Sequence, residues 1–308
     1  MRKTRILIVV LLLSLLLTAC TANGKQASSS PLPAIGTYVV GDSPFGICYD
    51  GTNIWTTNGG SNDVTKLKAS DGSIIGTYAV GANLAGICFD GTNIWTANGS
   101  RNNVTKLKAS DGSMLGTYAV GDCPMGICFD GTHIWTANWG NGTVTKLKAS
   151  DGSMVGTYAV GNFPMGICFD GANIWVVNQE SNDVFKLKAS DGSRLDYYDV
   201  GNLPSSVCFD GANIWVVNKE SNNVTKLKAS DGSILGTYAV GNFPMGICFD
   251  GSNIWVTNQE SNDVTKLKAS NGGRLGTYAV DNLPSGICFD GTNTWVANCG
   301  SNSVSKLK

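Results

Sequence analysis

The sequence predicts an all-β fold, a seven-bladed β-propeller of four-stranded antiparallel blades that is closed by pairing of the N- and C-terminal strands. Three observations predict it: a 40-residue repeat, four short β-type segments in each repeat, and chain ends that complement one another. The chain of 308 residues contains 39 glycines without a three-residue period, which is typical of many tight turns between short strands.

The repeat is visible in a pentapeptide that recurs every 40 residues without insertion or deletion. It reads GTYVV at Gly36 and GTYAV at Gly76, Gly116, Gly156, Gly236 and Gly276, with a diverged copy, DYYDV, at Asp196. Six full units and a final unit of 33 residues make seven copies. A fixed period of this length indicates a solenoid, a propeller or an array.

Each unit reads as a four-stranded meander. In the copy that spans residues 164–200, the predicted strands are a (166–169), b (174–177), c (184–189) and d (197–200). Asp-Gly pairs follow strands a and c, and this dipeptide favours tight turns because it tolerates positive φ. No segment has helical periodicity. Meanders of about 40 residues match the blades of propellers.

The two ends of the repeat region complement each other. The last copy stops after strand c at Lys308, and the first begins with an unpaired strand d at residues 36–40. Pairing these strands completes a seventh blade and removes two open sheet edges. An open solenoid would instead carry polar capping units at its ends.

The N-terminal residues have the features of an export signal. Arg2, Lys3 and Arg5 precede an apolar run at residues 6–17, which is too short to span a bilayer. Residues 17–20 (LTAC) resemble the lipobox of bacterial lipoproteins, which implies cleavage before Cys20 and lipidation of its thiol. The alternative is an ordinary signal peptide with a chance cysteine. The expected organisation is a signal peptide (1–19), a flexible tether (20–35) and a propeller (36–308).

This organisation predicts an exported protein that contacts the membrane only through its lipid anchor. Thr21 follows the cysteine, so a Gram-negative host is expected to sort the protein to its outer membrane; otherwise it would lie on the cell surface. The formal net charge of −1 and the 15% of charged residues give no field that would recruit nucleic acid.

Three motifs of the unit, P-x-G-I-C-F-D-G, N-I-W-V-x-N and S-N-x-V-x-K-L, resemble bacterial YVTN/NHL-type propeller repeats over residues 36–308. The group includes streptogramin B lyase, surface propellers and many exported proteins, so the resemblance implies the fold and leaves the function open. The lyase uses histidines with acidic groups and a divalent metal. This chain has one histidine, His133, in a turn, and no recognisable catalytic set. We therefore expect no enzyme activity, cofactor or metal.

Several residue types recur once per unit. Seven cysteines occupy one position of strand a, where we expect small buried side chains; a ring of thiols that binds a soft metal is the alternative. Seven tryptophans on strand b are expected as wedges between blades, with an aromatic ligand cage as the alternative. The two lysines of each KLK in strand c are expected to form a solvated flank.

The loops between strands d and a and between b and c vary from copy to copy, and both are expected on one face around the channel mouth. The residues expected to form a binding surface there are Phe45, Met125, Trp139, Phe163, Met165, Glu180, Lys219, Glu220, Phe243, Met245 and Glu260. Apolar groups ringed by polar ones suit an adaptable binding patch. Relaxed drift of the loops, or packing of the apolar groups over the channel, would give the same pattern.

The sequence thus favours a monomeric binding module for a protein, peptide or small-molecule ligand. A structural component of the cell envelope or of adhesion is the first alternative, and a hydrolase or lyase is the second.

Overall fold

The computed structural model describes residues 31–308, so the predicted leader and Cys20 lie outside the described residues. The described chain forms seven four-stranded antiparallel sheets. Their first strands contact one another in sequence, and the seventh contacts the first, which closes the ring. The predicted seven-bladed propeller is confirmed. No helix within residues 31–308 is long and apolar enough to cross a membrane.

The strand bounds follow the repeat. β1 (Gly36–Val39) belongs to blade 7. Blade 1 has β2 (Pro44–Tyr49), β3 (Asn53–Asn58), β4 (Asp63–Lys68) and β5 (Ile74–Ala79), and blade 2 has β6 (Leu84–Phe89), β7 (Asn93–Asn98), a short 3-10 turn (Gly99–Arg101), β8 (Asn103–Lys108) and β9 (Met114–Ala119). Blade 3 has β10 (Pro124–Phe129), β11 (His133–Asn138), β12 (Thr143–Lys148) and β13 (Met154–Ala159). Blade 4 has β14 (Pro164–Phe169), β15 (Asn173–Asn178), β16 (Asp183–Lys188) and β17 (Arg194–Asp199). Blade 5 has β18 (Pro204–Phe209), β19 (Asn213–Asn218), β20 (Asn223–Lys228) and β21 (Ile234–Ala239). Blade 6 has β22 (Pro244–Phe249), β23 (Asn253–Asn258), β24 (Asp263–Lys268) and β25 (Arg274–Ala279), and β26 (Pro284–Phe289), β27 (Thr294–Asn298) and β28 (Ser303–Leu307) complete blade 7.

The strands predicted for blade 4 are all present; strands a, b and d are longer than predicted, and strand c has the predicted length but lies one residue earlier. The largest difference is in strand d, where β17 begins at Arg194, three residues before its predicted start. Arg194 pairs with Leu187 beyond a register shift between Lys186 and Leu187. A bulge of this kind inserts an extra residue, which alternation of side chains alone does not reveal.

The ring closes through the N-terminal strand, as expected. β1 pairs with β28 in antiparallel register, from Gly36 opposite Lys306 to Val39 opposite Ser303. Upstream residues also contact the propeller: the Leu32 amide donates to the Thr277 carbonyl (2.9 Å), and the Leu32 carbonyl accepts from the Ala279 amide (2.8 Å). The contacts of the N-terminal segment therefore extend to both blade 7 and blade 6.

Tryptophan and lysine fill the space between neighbouring blades. Trp55 is fully buried, and its Nε1 donates to Asp50 Oδ2 at 2.7 Å. Lys66 Nζ lies 4.8 Å from the Trp55 ring centroid and donates to the carbonyls of Ala109 (2.7 Å) and Ser110 (3.2 Å) in the next blade. The tryptophans are core residues, and equivalent lysine contacts recur in six of the seven blades, with the half-buried Lys266 of blade 6 as the exception.

The predicted solvated flank is therefore wrong for the first lysine of each KLK. Lys66 is buried, whereas Lys68 is exposed. Both lysines lie on the same face of strand c, as their spacing requires, but the next blade covers that face except at the strand end. The buried ammonium groups are compensated by the backbone carbonyls and the indole rings.

Candidate functional site

The two ends of the ring differ in their loops. We call the end that carries the d–a and b–c loops the loop face, and the end that carries the a–b and c–d turns the turn face. At the loop face, residues from the second to the fourth position of the seven strands a surround a cavity of about 170 Å³ on the ring axis. This volume is below the range of pockets that enclose a drug-sized ligand, about 300–1,000 Å³. A larger ligand would have to rest on the surrounding loops.

Glycine brings the inner strands close together at this cavity. A Cβ atom on Gly126 would lie 2.2 Å from the Met165 carbonyl oxygen of the next blade, and one on Gly246 would lie 2.3 Å from the Ser285 carbonyl oxygen. Blade 5 carries Ser206 instead, and there the register differs because Ser206 pairs with Val217. The close approach of backbones fixes the position of the residue before each glycine, which lines the mouth.

Four of the predicted site residues line this mouth: Phe45, Met125, Met165 and Met245. Phe45 and Met125 are partly exposed, while Met165 and Met245 are only 8% and 7% exposed. The expectation of freely exposed methionines is therefore wrong for Met165 and Met245, which pack into the mouth among neighbouring blades. Ser205 and Ser285 occupy the equivalent position in blades 5 and 7 and also line the cavity.

A backbone contact in every blade joins the two variable loops. In blade 4 the Gln179 amide donates to the Phe163 carbonyl at 3.0 Å, and in blade 5 the Lys219 amide donates to the Leu203 carbonyl at 3.2 Å. The accepting residues all have a left-handed backbone, with φ from 52° to 55°. They are Ser43, Asn83, Cys123, Phe163, Leu203, Phe243 and Leu283. Residue 163 of the predicted site is thus fixed by the loop backbone.

Trp139 and Phe163 form an aromatic pair between blades 3 and 4. Their ring centroids are 4.3 Å apart with an interplanar angle of 18°. Trp139 Nε1 donates to Gln179 Oε1 at 3.4 Å, and Gln179 Nε2 contacts Met165 Sδ at 3.3 Å. Gln179 was not predicted as a site residue, although it lies in a loop that varies between copies. It connects the aromatic pair to the mouth.

Lys219 lies closer to the mouth than expected, because its side chain is only 6% exposed. Its Nζ lies 5.6 Å from the Phe243 ring centroid and 3.9 Å from Met165 Sδ. No carboxylate lies within ion-pair distance of this ammonium in the described chain. Burial lowers the pKa of Lys219 from 10.5 to about 8. Lys219 therefore belongs to the apolar centre, and its predicted place among the surrounding polar groups is wrong.

The three glutamates of the predicted site, Glu180, Glu220 and Glu260, are exposed in the b–c loops of blades 4, 5 and 6. Each follows directly after a residue that packs toward the mouth, namely Gln179, Lys219 and Gln259. The arrangement places carboxylates outside the partly apolar centre of blades 4 to 6. It can accommodate an apolar group at the centre and polar or cationic groups at the edge.

His133 lies on the turn face, away from the predicted site. It takes the place of asparagine in the turn after strand a, where its Nδ1 lies 3.3 Å from Asp130 Oδ2. The nine cysteines of the described part are free thiols, and burial raises the pKa of the Cys48 and Cys168 thiols. No three His, Cys, Asp or Glu side chains among residues 31–308 are placed to hold a metal ion together.

No model of a known protein family matches the chain, and no curated protein matches it. Solved structures with the same fold do match. A streptogramin B lyase has a TM-score of 0.77 at 21% identity, with 89% of this chain and 96% of that chain covered. Kuenenia stuttgartiensis hydrazine synthase has a TM-score of 0.77 at 18% identity, with coverage of 94% and 99%. A catalytically inactive histidine-to-alanine variant of Staphylococcus aureus virginiamycin B lyase, solved with quinupristin, has a TM-score of 0.76 at 20% identity, with coverage of 89% and 99%. At these identities the likeness establishes the propeller fold that this chain shares with them.

Proposed function

We propose that this protein is an exported, lipid-anchored propeller that binds a peptide, protein or small-molecule ligand at its loop face. The observation that carries the proposal is the presence of bulky apolar residues at left-handed backbone positions in the d–a loops of blades 4 to 7. These residues are Phe163, Leu203, Phe243 and Leu283.

A left-handed backbone disfavours bulky side chains, and asparagine or glycine adopts it at lower cost. The chain follows this rule at a second left-handed position, in the b–c loops. There it uses Asn62, Asn102, Gly142, Asn182, Asn222, Asn262 and Asn302. In the d–a loops, blades 1 and 2 also comply, with Ser43 and Asn83.

Each bulky side chain at a left-handed backbone position lowers the stability of the fold by on the order of 1 kcal/mol or more. Phe163, Leu203, Phe243 and Leu283 are only half-buried, so their burial offsets this cost incompletely. We infer that these side chains are kept for contact with a partner. Together with Trp139 they give blades 3 to 7 an apolar arc beside the mouth, and such surfaces on monomers commonly mark interaction sites.

Binding without turnover is our proposal for the chemistry. Its support is that the single histidine lies on the turn face, and that the groups at the mouth are thioethers, serine hydroxyls, aromatic rings and one lysine. The virginiamycin B lyase of similar fold is inactive when one of its histidines is replaced by alanine. A binding role needs only the apolar arc and its polar edge.

The test is a thermal-shift screen of peptides and small molecules with apolar groups, quinupristin included. A ligand at 100 times its Kd stabilises the folded state by about 2.7 kcal/mol, a shift that is readily measured. We expect saturable stabilisation, and loss of at least about tenfold in affinity when Trp139, Phe163 and Phe243 are replaced together by Ser.

The matched control replaces Ser110, Ser150 and Ser190 in the c–d turns of the turn face by Ala, which should leave binding unchanged. If this control variant loses binding and the triple Ser variant keeps it, the ligand binds at the turn face and our assignment to the loop face is wrong. Chromatography and mass spectrometry of the recovered ligand together separate binding from catalysis. A changed mass would support a hydrolase, and a product of changed retention time with the same mass would support a lyase that opens a ring by elimination. Ordered sheets of the purified protein without any ligand response would instead support a structural role.

A further inference from the structure

The turn face carries a ring of exposed aliphatic side chains that the proposed binding site does not use. In blades 1 to 6, one or both of the first two residues of strand d are large and apolar; in blades 4 and 6 the first is Arg194 or Arg274 and the second is leucine. The large apolar residues are Ile74, Ile75, Met114, Leu115, Met154, Val155, Leu195, Ile234, Leu235 and Leu275. Ile234 is 58% exposed, and even the less exposed Ile75 is 44% exposed. Ile35 continues the ring at the start of blade 7, with 57% exposure.

The placement of these residues is selective. In the described chain, the exposed large apolar residues all lie on strand d or in the segment that leads into β1. Edge strands usually carry charged or polar side chains, which prevent association. At the loop-face end of the same strands most exposed residues are small, such as Ala79 and Ala119, and Val39 in blade 7 is the one large aliphatic residue. The aliphatic groups are therefore concentrated at one end of the molecule.

The repeat gives this ring a simple shape. The residues occupy two adjacent positions of a unit that recurs around a closed ring, so they lie at one height on the propeller axis. A flat surface can contact all of them together. The flat apolar partner available to an exported, lipid-anchored protein is the membrane that holds its anchor.

The chain enters the propeller in a direction that suits this contact. Leu32 forms a parallel bridge with Tyr278 of β25, and β25 runs from the turn face toward the loop face. Residues 31–33 therefore run beside β25 in the direction from the turn face toward the loop face. Ten residues lie between Cys20 and Pro31, and the eleven steps of this segment can reach at most about 40 Å. A lipid on Cys20 would keep the propeller within this distance of the bilayer.

The charges beside the ring are only partly paired. The second lysine of each KLK is exposed there, and three pair with aspartates of the c–d turn: Lys108 with Asp111 (3.2 Å), Lys188 with Asp191 (3.4 Å) and Lys228 with Asp231 (3.0 Å). Long lysine side chains can lie along an apolar surface while their ammonium groups stay in water. Arg194 and Arg274, at the start of strand d in blades 4 and 6, add exposed positive charge to the ring, which suits a lipid surface that carries some negative charge.

We propose that the turn face rests on the lipid surface in which the protein is anchored, with the aliphatic ring in the headgroup boundary and the loop face directed away from the membrane. The proposal rests on the proposed anchor and adds an orientation, which presents the apolar arc to partners outside the membrane.

The test uses flotation of the full chain with phosphatidylcholine vesicles, with and without one third phosphatidylglycerol. Cys20→Ala, expressed without residues 1–19, lacks both the anchor and the apolar leader and keeps the ring. We expect this variant to bind neutral vesicles weakly and to keep most of this binding at high salt, with a modest gain on adding phosphatidylglycerol. Adding Ile75→Ser, Leu115→Ser, Val155→Ser, Leu235→Ser and Leu275→Ser should weaken its binding by at least about tenfold.

The matched control adds Val39→Ser, Ala119→Ser, Ala159→Ser and Ala239→Ser, which alter exposed positions at the loop-face end of strand d, and should bind like Cys20→Ala alone. Circular dichroism melting checks that all variants fold, and Leu115→Glu with Leu235→Glu provides a second ring variant. The docking proposal is overturned if Cys20→Ala does not bind vesicles. It is also overturned if the binding persists in both sets of ring substitutions.

Labelling with a radioactive fatty acid tests the anchor separately. An unlabelled wild type would reject the anchor, while the flotation of Cys20→Ala still decides whether the ring binds lipid. Ring substitutions that abolish self-association in sedimentation, with no effect on flotation, would identify the ring as an interface between copies and would also overturn the proposal.

Discussion

The ammonium group of Lys219 is buried at the mouth at a cost in stability. Its ammonium lies against a phenyl ring and a thioether, without a carboxylate to compensate it, unlike Lys66, which donates to two carbonyls. Burying a charge without a partner is costly. The residue therefore lowers stability at neutral pH, and a methionine of similar length would not.

We expect Lys219→Met to raise the free energy of unfolding at pH 7. The change of pKa from 10.5 to about 8 corresponds to about 3 kcal/mol. Below pH 8 both the folded and the unfolded state hold the proton, so the full cost is present. Between pH 8 and 10.5 the folded state releases its proton first, and the cost disappears. The gain from Lys219→Met should therefore shrink toward pH 10.

Urea unfolding at pH 7 and pH 10 measures this difference. Lys68→Met, at an exposed lysine, serves as the control and should show no comparable gain at either pH. A stability gain for Lys219→Met that stays constant across the two pH values would contradict the assignment of the effect to the buried ammonium.

At the scale of strands, the sequence predicts the elements well and their contacts less well. Alternation and Asp-Gly turns identify all four strands of a blade, since both depend on nearby residues. The burial of Lys66 could not be predicted, because it depends on carbonyls some 43 residues away in the next blade. The burial of Lys219 likewise depends on Met165, in another blade. Phe45 and Met125, which loop variation singled out, line the cavity at the mouth, while Gln179 becomes visible only through its contacts.

Strand a offers a test of contacts between elements. Gly126→Ser would place a Cβ atom 2.2 Å from the Met165 carbonyl oxygen, and a backbone atom cannot move aside cheaply. We expect a loss of at least about 2 kcal/mol in the free energy of unfolding. Ser206→Gly makes the reverse change in blade 5, where the chain already accommodates serine, and should alter stability by less than about 1 kcal/mol. Chemical denaturation of both variants measures the change in the free energy of unfolding. Equal changes for the two variants would show that the close approach of the strands does not require glycine.

At the scale of the whole molecule, the interface between blades 6 and 7 differs from the others. Lys266 Nζ lies 3.9 Å from Asp250 Oδ2, whereas its counterparts donate to carbonyls of the next c–d turn. Blade 7 has no such turn, because β28 is followed by β1 from the other end of the described chain. Ala34 takes the core position that Ala69 and Ala109 hold at other interfaces. The N-terminal segment thus replaces a missing turn as well as a missing strand.

This replacement predicts that stability depends on residues 31–40 and not on the residues just before them. Deleting 31–40 removes the β1 ladder, the Leu32 pairing and the Ala34 contacts, and opens the edges of β28 and β25. We expect a loss of several kcal/mol, a large share of the roughly 5–15 kcal/mol that stabilises a typical domain. Deleting 21–30 is the matched control of equal length and should leave the melting temperature unchanged. Equal melting temperatures for the two deletions and the full chain would refute closure by the N-terminal strand. A loss confined to hydrogen-exchange protection of β25 and β28 would show instead that the segment secures this one interface while the other six hold the ring.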